Sequence, residues 1–145
     1  MAELKGGADI ATACRALPGS QTEASSRQGS YPYRRRVMSR AFNRLVRLTL
    51  LPGVLDTQAG LKGYTAAAAV SVFSRVSIPG FGFDLECLFV ARRLGLRVAQ
   101  VPVRFRHDDE ETSTVRFVRD AVTMTSDLAR IRWRAFSGEY EAARR

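Results

Sequence analysis

The chain has 145 residues, 46% of them hydrophobic, which suits one domain or part of one and excludes a wholly disordered chain. Its net charge of +9 and pI near 10.7 favour an anionic partner: phosphate, an acidic membrane surface or nucleic acid. No apolar run approaches the ~20 residues that span a bilayer, the amino terminus lacks a signal-peptide core, and a single histidine, His107, excludes a multi-histidine metal site.

Ala8 to Cys14 reads as a short buried strand, preceded by Gly6-Gly7 and closed by Arg15. Residues 18–30, rich in Gly, Ser, Gln and Pro, read as a loop. Tyr33 to Leu51 is helical, with Val37, Ala41, Phe42, Leu45, Leu48 and Leu50 as apolar positions. Arg36, Arg40, Arg44 and Arg47 recur along it, and no acid occurs between Glu23 and Asp56. Such a helix is either a solvated basic face or one that lies on an anionic bilayer, apolar residues down and arginines at the headgroups. Pro52-Gly53 stops it.

Asp56-Thr57-Gln58-Ala59-Gly60-Leu61-Lys62-Gly63-Tyr64 is the stretch with most chemistry. In an extended segment the even spacing of Asp56, Gln58 and Lys62 places a carboxylate, an amide and an ammonium on one face. Gly60 and Gly63 permit bends or close approach of a ligand. The plainer reading is a turn at Leu55-Asp56-Thr57 followed by a half-buried strand.

Thr65 caps a small-residue helix that runs to about Val76. Pro79-Gly80-Phe81-Gly82 reads as a loop, and Phe83 to Leu94 as an amphipathic helix with Gly95 as its cap. Arg97 to Phe105 alternates as one strand, with Pro102 calling for an edge or a bulge. His107 to Glu111 is an acidic loop, Thr114 to about Phe136 a long helix ending in Arg130-Ile131-Arg132-Trp133-Arg134, and Gly138 to Arg145 a tail. Arginine mixed with an aromatic suits a membrane interface. Cys14 and Cys87 lack metal-ligand spacing and read as reduced thiols of a cytosolic chain.

Taken together, these motifs resemble the dolichyl-phosphate beta-glucosyltransferases and related polyprenyl-phosphate sugar transferases of glycosyltransferase family 2. Asp56-Thr57-Gln58-Ala59-Gly60-Leu61-Lys62 resembles their Asp-Thr-Gln-Cys-Gly-Phe-Lys, and Gly82-Phe83-Asp84-Leu85-Glu86 their Ala-Phe-Asp-Val-Glu. Gly95, then Val101-Pro102-Val103, and Ile131-Arg132-Trp133 before Gly138 follow the family order. Ala13-Cys14-Arg15 stands where these enzymes carry Gly-Ser-Arg, and Arg35 and Ser39 match an Arg-x-x-x-Ser.

The resemblance implies an α/β fold: the carboxy-terminal, acceptor-side part of a GT-A-type domain over 1–136, a mainly parallel sheet with flanking helices, and a tail at 137–145. It implies transfer of glucose or mannose, with inversion, from a nucleotide sugar (UDP-glucose or GDP-mannose) to a polyprenyl phosphate. Arg15, Arg35 and Ser39 then hold the acceptor phosphate, with Arg36 as the substitute for Arg35 if the register shifts by one. Asp56 and Gln58 sit near the reacting sugar, and Lys62, Asp84, Glu86 and Ser113 complete the candidate site. Asp84 and Glu86, two apart on a helix, point to different sides and do not share a metal; Asp84 alternatively complements the helix N-terminus.

The family's Asp-x-Asp and nucleotide-binding strands have no counterpart in these residues, and its Gly-Ser-Lys loop reads Glu111-Thr112-Ser113-Thr114. The Mg²⁺ or Mn²⁺ of a complete enzyme is therefore expected to be held elsewhere, in an amino-terminal half that partners this one. The implied location is the cytoplasmic face of the membrane, held peripherally. The alternative is a small basic nucleic-acid- or membrane-binding protein without catalysis; the aromatics form no stacking platform, so nucleic acid is not favoured.

Overall fold

The computed structural model describes residues 2–24, 33–107 and 114–142. A first short helix, α1 (Ala2–Lys5), leads into β1 (Ile10–Cys14), the middle strand of a three-stranded sheet. β1 pairs in parallel with β4 (Val98–Pro102), from Ile10 opposite Val98 to Cys14 opposite Pro102. On its other side it pairs antiparallel with β3 (Lys62–Tyr64), Thr12 opposite Lys62. Buried apolar side chains on both faces of β1 fit this central place.

The β1–β4 ladder is interrupted and then resumes. β2 (Gln21–Ala24) pairs in parallel with β5 (Arg104–His107), Gln21 opposite Arg104. Between the two ladders residues 15–20 loop out on one side, while Val103 alone spans the other. Ser20 bridges the gap: its hydroxyl donates to the Cys14 carbonyl (2.7 Å) and accepts from the Val103 amide (3.2 Å). Two sequence expectations change here. Arg97 to Phe105 is two strands rather than one, broken just after Pro102, whose ring cannot donate to a ladder. The loop expected from residue 18 ends at Ser20, because β5 offers Gln21–Ala24 an open edge; residues 25–30 lie outside those described. Two of the three strand pairings are parallel, and the three-stranded sheet is mixed.

The helices pack around one core. α2 (Tyr33–Thr49) buries Val46 and, just beyond its end, Leu50 and Leu51, while Val37, Leu45 and Leu48 stay exposed. Gly53, at φ 90°, turns the chain out of this helix. α3 (Ala66–Phe73) is capped by the Thr65 hydroxyl, which accepts from the Ala68 amide, and buries Ala68 and Val72. α4 (Phe81–Arg93) carries Leu85, Leu88, Val90 and Ala91 into the core. It begins two residues before the expected start, so Gly82 belongs to the helix. A Cβ on Gly82 would stand 2.5 Å from Ile78 Cγ2 and 2.7 Å from Asp127 Oδ2. Alanine favours a helix by about 1 kcal/mol over glycine, yet overpacking costs about 1–3 kcal/mol, so close packing explains the glycine.

α5 (Thr114–Phe136) contributes Leu128 and Ile131. α6 (Glu139–Ala142) lies within the expected tail, but it is built into the domain: Tyr140 is buried against Phe89, ring centroids 5.8 Å apart. Residues 108–113, with Glu111 and Ser113, lie outside those described.

Candidate active site

Arg15 is the first residue of the looped-out segment after β1, so its side chain leaves the sheet and reaches the 54–61 loop. There it meets Asp56 in a two-pronged ion pair: Nε donates to Oδ2 at 2.7 Å and Nη2 to Oδ1 at 3.0 Å. The Arg15 amide adds a third bond to Oδ2 at 3.1 Å. Asp56 is only 6% exposed, whereas the Arg15 side chain is 42% exposed. Burial alone would raise the Asp56 carboxyl; the Arg15 hydrogen bonds and charge outweigh it and hold the carboxyl below its usual range. Asp56 is therefore a carboxylate at neutral pH, and it orients a partly exposed guanidinium that lies 5.4 Å over the Phe105 ring.

The loop that carries Asp56 is clamped from two elements. Asn43 of α2 donates to the Leu55 carbonyl (3.0 Å) and accepts from the Thr57 hydroxyl (3.1 Å). Gln100 of β4 accepts from the Leu55 amide (2.7 Å) and donates to the Gly53 carbonyl (2.9 Å). Both amides were missed by sequence reasoning. The available signals were one asparagine in an arginine-rich helix and one glutamine in an apolar strand.

Asp56, Gln58 and Lys62 do not share one face of an extended segment. Residues 56–61 form a turn at 57–58 and irregular backbone rather than a strand, and β3 begins only at Lys62. Gln58 turns toward α5, its Nε2 3.7 Å from Met124 Sδ. Lys62, whose side chain is nearly buried, donates to the Ala59 carbonyl and to Asp84 Oδ1 at 2.7 Å. Asp84 lies in the first turn of α4, so it both complements the helix N-terminus and neutralises Lys62. Behind this pair, burial pushes the Cys87 thiol up to about 11 and raises the Tyr64 hydroxyl as well, so both stay protonated. Cys14 and Cys87 are free and buried.

Asp84 and Glu86 point apart, as two carboxylates two residues apart on a helix must. Glu86 is 0% exposed and accepts from the Ser77 and Ile78 amides (2.9 and 2.8 Å), the Tyr140 hydroxyl (2.8 Å) and Arg134. Arg134 also pairs with Glu139 and lies 4.9 Å over the Tyr140 ring. This cluster ties α4, α5 and α6 together; the sequence reading placed Arg134 only in an arginine–aromatic run suited to a membrane interface and did not single out Tyr140. Among the described residues no group of three His, Cys, Asp or Glu could hold a metal ion. The backbones of Arg35 and Ser39 lie in the first turns of α2; their side chains, and that of Arg36, lie outside what is described, as does Ser113.

No protein-family model matches the chain. Sequence relatives do. The chain is 34% identical over 125 residues to the glycosyltransferase AglD of Haloferax volcanii, a match covering 86% of this chain and 19% of that protein. It is 30% identical over 131 residues to the dolichyl-phosphate beta-glucosyltransferase of Mus musculus (90% of this chain, 39% of that enzyme). The polyprenol monophosphomannose synthase of Mycolicibacterium smegmatis is 30% identical over 100 residues (68% of this chain, 36% of that enzyme). The chain is related to the dolichyl- and polyprenyl-phosphate glycosyltransferases. It spans about a fifth to two fifths of the length of these curated relatives. No helix among the described residues is long and apolar enough to cross a membrane.

Proposed function

We propose that the chain is the acceptor-side part of a glycosyltransferase that moves a hexose from a nucleotide sugar to a polyprenyl phosphate. The observation that carries this is the Arg15–Asp56 pair, a partly exposed guanidinium oriented by a buried carboxylate, in a relative of enzymes named for dolichyl and polyprenol phosphates. Arginine binds phosphate in two-pronged fashion, and a guanidinium already oriented loses less freedom on binding. In this reading Arg15, with Arg35 and Ser39 from the start of α2, holds the acceptor phosphate. Asp56 positions Arg15 and, with Gln58, flanks the reacting sugar.

The reaction consists of one displacement. A phosphate oxygen of the acceptor attacks the anomeric carbon, a new carbon–oxygen bond forms, and the bond to the nucleotide diphosphate breaks with inversion. That oxygen is anionic at neutral pH, so a general base is a lesser need than orientation of two anions and stabilisation of the departing diphosphate. The GT-A fold, the donor (UDP-glucose or GDP-mannose) and the Mg²⁺ or Mn²⁺ belong to this proposal, and the donor and the cation are assigned to a part of the enzyme outside these 145 residues. The working location is the cytoplasmic face of a membrane, held peripherally.

The division of labour has a direct test. Incubated with labelled UDP-glucose or GDP-mannose, Mg²⁺ and polyprenyl phosphate, residues 1–145 alone yield no lipid-linked sugar. Product above a heat-killed control overturns the assignment of the donor side to another part of the enzyme.

A further inference from the structure

The segment between α2 and β3 is buried without being regular. Val54, Asp56, Thr57 and Ala59 are buried, yet residues 54–59 belong to no helix or strand. The backbone groups of such a segment need partners from outside it, and side chains supply them here. An amide side chain offers a donor and an acceptor at once, which a carboxylate does not.

Leu55 is held from two sides. Gln100 of β4 accepts from its amide at 2.7 Å, and Asn43 of α2 donates to its carbonyl at 3.0 Å. The first bond fixes the peptide plane before Leu55, and the second fixes the plane that joins Leu55 to Asp56. Asn43 also spans Asp56 and accepts from the Thr57 hydroxyl at 3.1 Å, on a residue that is 0% exposed. One side chain of α2 thus grips residues 55 and 57, while Asp56 between them meets Arg15 and the Gln58 amide. The sheet carries Arg15 at the end of β1 and Gln100 on the paired β4. Among the described residues no other side chain of α2 hydrogen-bonds this segment.

We propose that Asn43 is a positioning residue that holds the Arg15–Asp56 pair in register with α2. Ser39 and Arg35 stand about one and two turns ahead of Asn43 on the same helix. Two supports on different elements hold one phosphate only when their spacing is kept to within about 0.5 Å. The consequence for binding rests on the reading of Arg15 given above, whereas the grip on the loop does not.

The test compares wild-type residues 1–145 with Asn43→Ala plus Thr57→Val. This pair removes the buried hydroxyl together with its partner, alanine suits a helix, and the carbonyl of the partly exposed Leu55 passes to water. The variant is therefore expected to fold and to melt within a few degrees of wild type. Carbon-13 NMR then follows the Asp56 carboxyl. It titrates below its usual range in wild type and moves up toward the ordinary value near 4 in the variant, where the Arg15 pair is loosened. Titration with a short-chain polyprenyl phosphate and the corresponding polyprenol shows the preference for the phosphate reduced severalfold and the affinity for the alcohol unchanged. Asn43→Ser, a second variant whose shorter side chain withdraws from Leu55 and Thr57, gives the same two changes. A purely structural role would lower the melting temperature and leave both readouts as in wild type, and that result overturns the proposal. An Asp56 carboxyl that titrates alike in wild type and both variants overturns it too. If wild type itself shows no preference for the phosphate, the reading of Arg15 fails, and the Asp56 titration alone decides for or against Asn43.

Discussion

At the level of single residues, Asp56 has a structural duty and a proposed functional one, and pH separates them. Its carboxyl lies below its usual range in the folded chain. A depressed carboxyl stabilises the fold above the unfolded value near 4 and loses that contribution as pH falls through the folded value. Asp56→Asn removes the charge and weakens the Arg15 bonds, a loss of about 1–3 kcal/mol, held at the lower end because Arg15 is partly solvated. The variant therefore melts several degrees below wild type at pH 7, and the gap narrows by pH 3, where the unfolded carboxyl takes up a proton more readily than the folded one. Melting curves at both pH values check this; a constant gap would mean that Asp56 stabilises by shape rather than charge.

The residue scale also shows where sequence reading reaches its limit. Arg15, Asp56, Lys62 and Asp84 were all legible as candidates, but their pairing was not. Even spacing placed Asp56 and Lys62 on one face, whereas the turn at 57–58 and the irregular backbone after it send the first to Arg15 and the second to Asp84. The partner choices depend on contacts 41 and 22 residues apart in sequence, which local periodicity does not encode.

At the level of elements, Glu86 and Arg134 hold the carboxy-terminal helices on α4. A fully buried carboxylate left without its cation costs about 3–5 kcal/mol, more than the modest packing that a methionine retains. Arg134→Met is thus expected to lower stability by about that amount in denaturant titration. Glu86→Gln added to it recovers part of the loss, since the glutamine oxygen still accepts from the Ser77 and Ile78 amides without carrying a charge. A single variant within 1 kcal/mol of wild type would show that water satisfies Glu86 instead. The helices themselves were legible: Thr65 caps α3, Gly95 ends α4 at φ 71°, and Pro52-Gly53 ends α2. The strands were less so. Ser20 and Val103 re-join a broken ladder that sequence divided into a loop and one long strand, and α6 escaped notice because four residues carry too little periodicity to read.

At the level of the whole molecule, the chain presents a core on one side of α2 and a basic, apolar-striped surface on the other, with Asn43 and the Asp56 loop between them. In the proposed reading, the phosphate of a polyprenyl acceptor meets Arg15. The central claim is that Arg15 recognises this phosphate, and a binding titration in neutral detergent tests it most directly. A short-chain polyprenyl phosphate and the corresponding polyprenol are each titrated into residues 1–145 and into Arg15→Gln, with melting curves confirming that the variant is folded. The account predicts that the phosphate compound binds wild type at least tenfold more tightly than the alcohol, and that Arg15→Gln removes most of that difference without changing the alcohol's affinity. Equal affinity for the two lipids, or an undiminished preference for phosphate in Arg15→Gln, would contradict it.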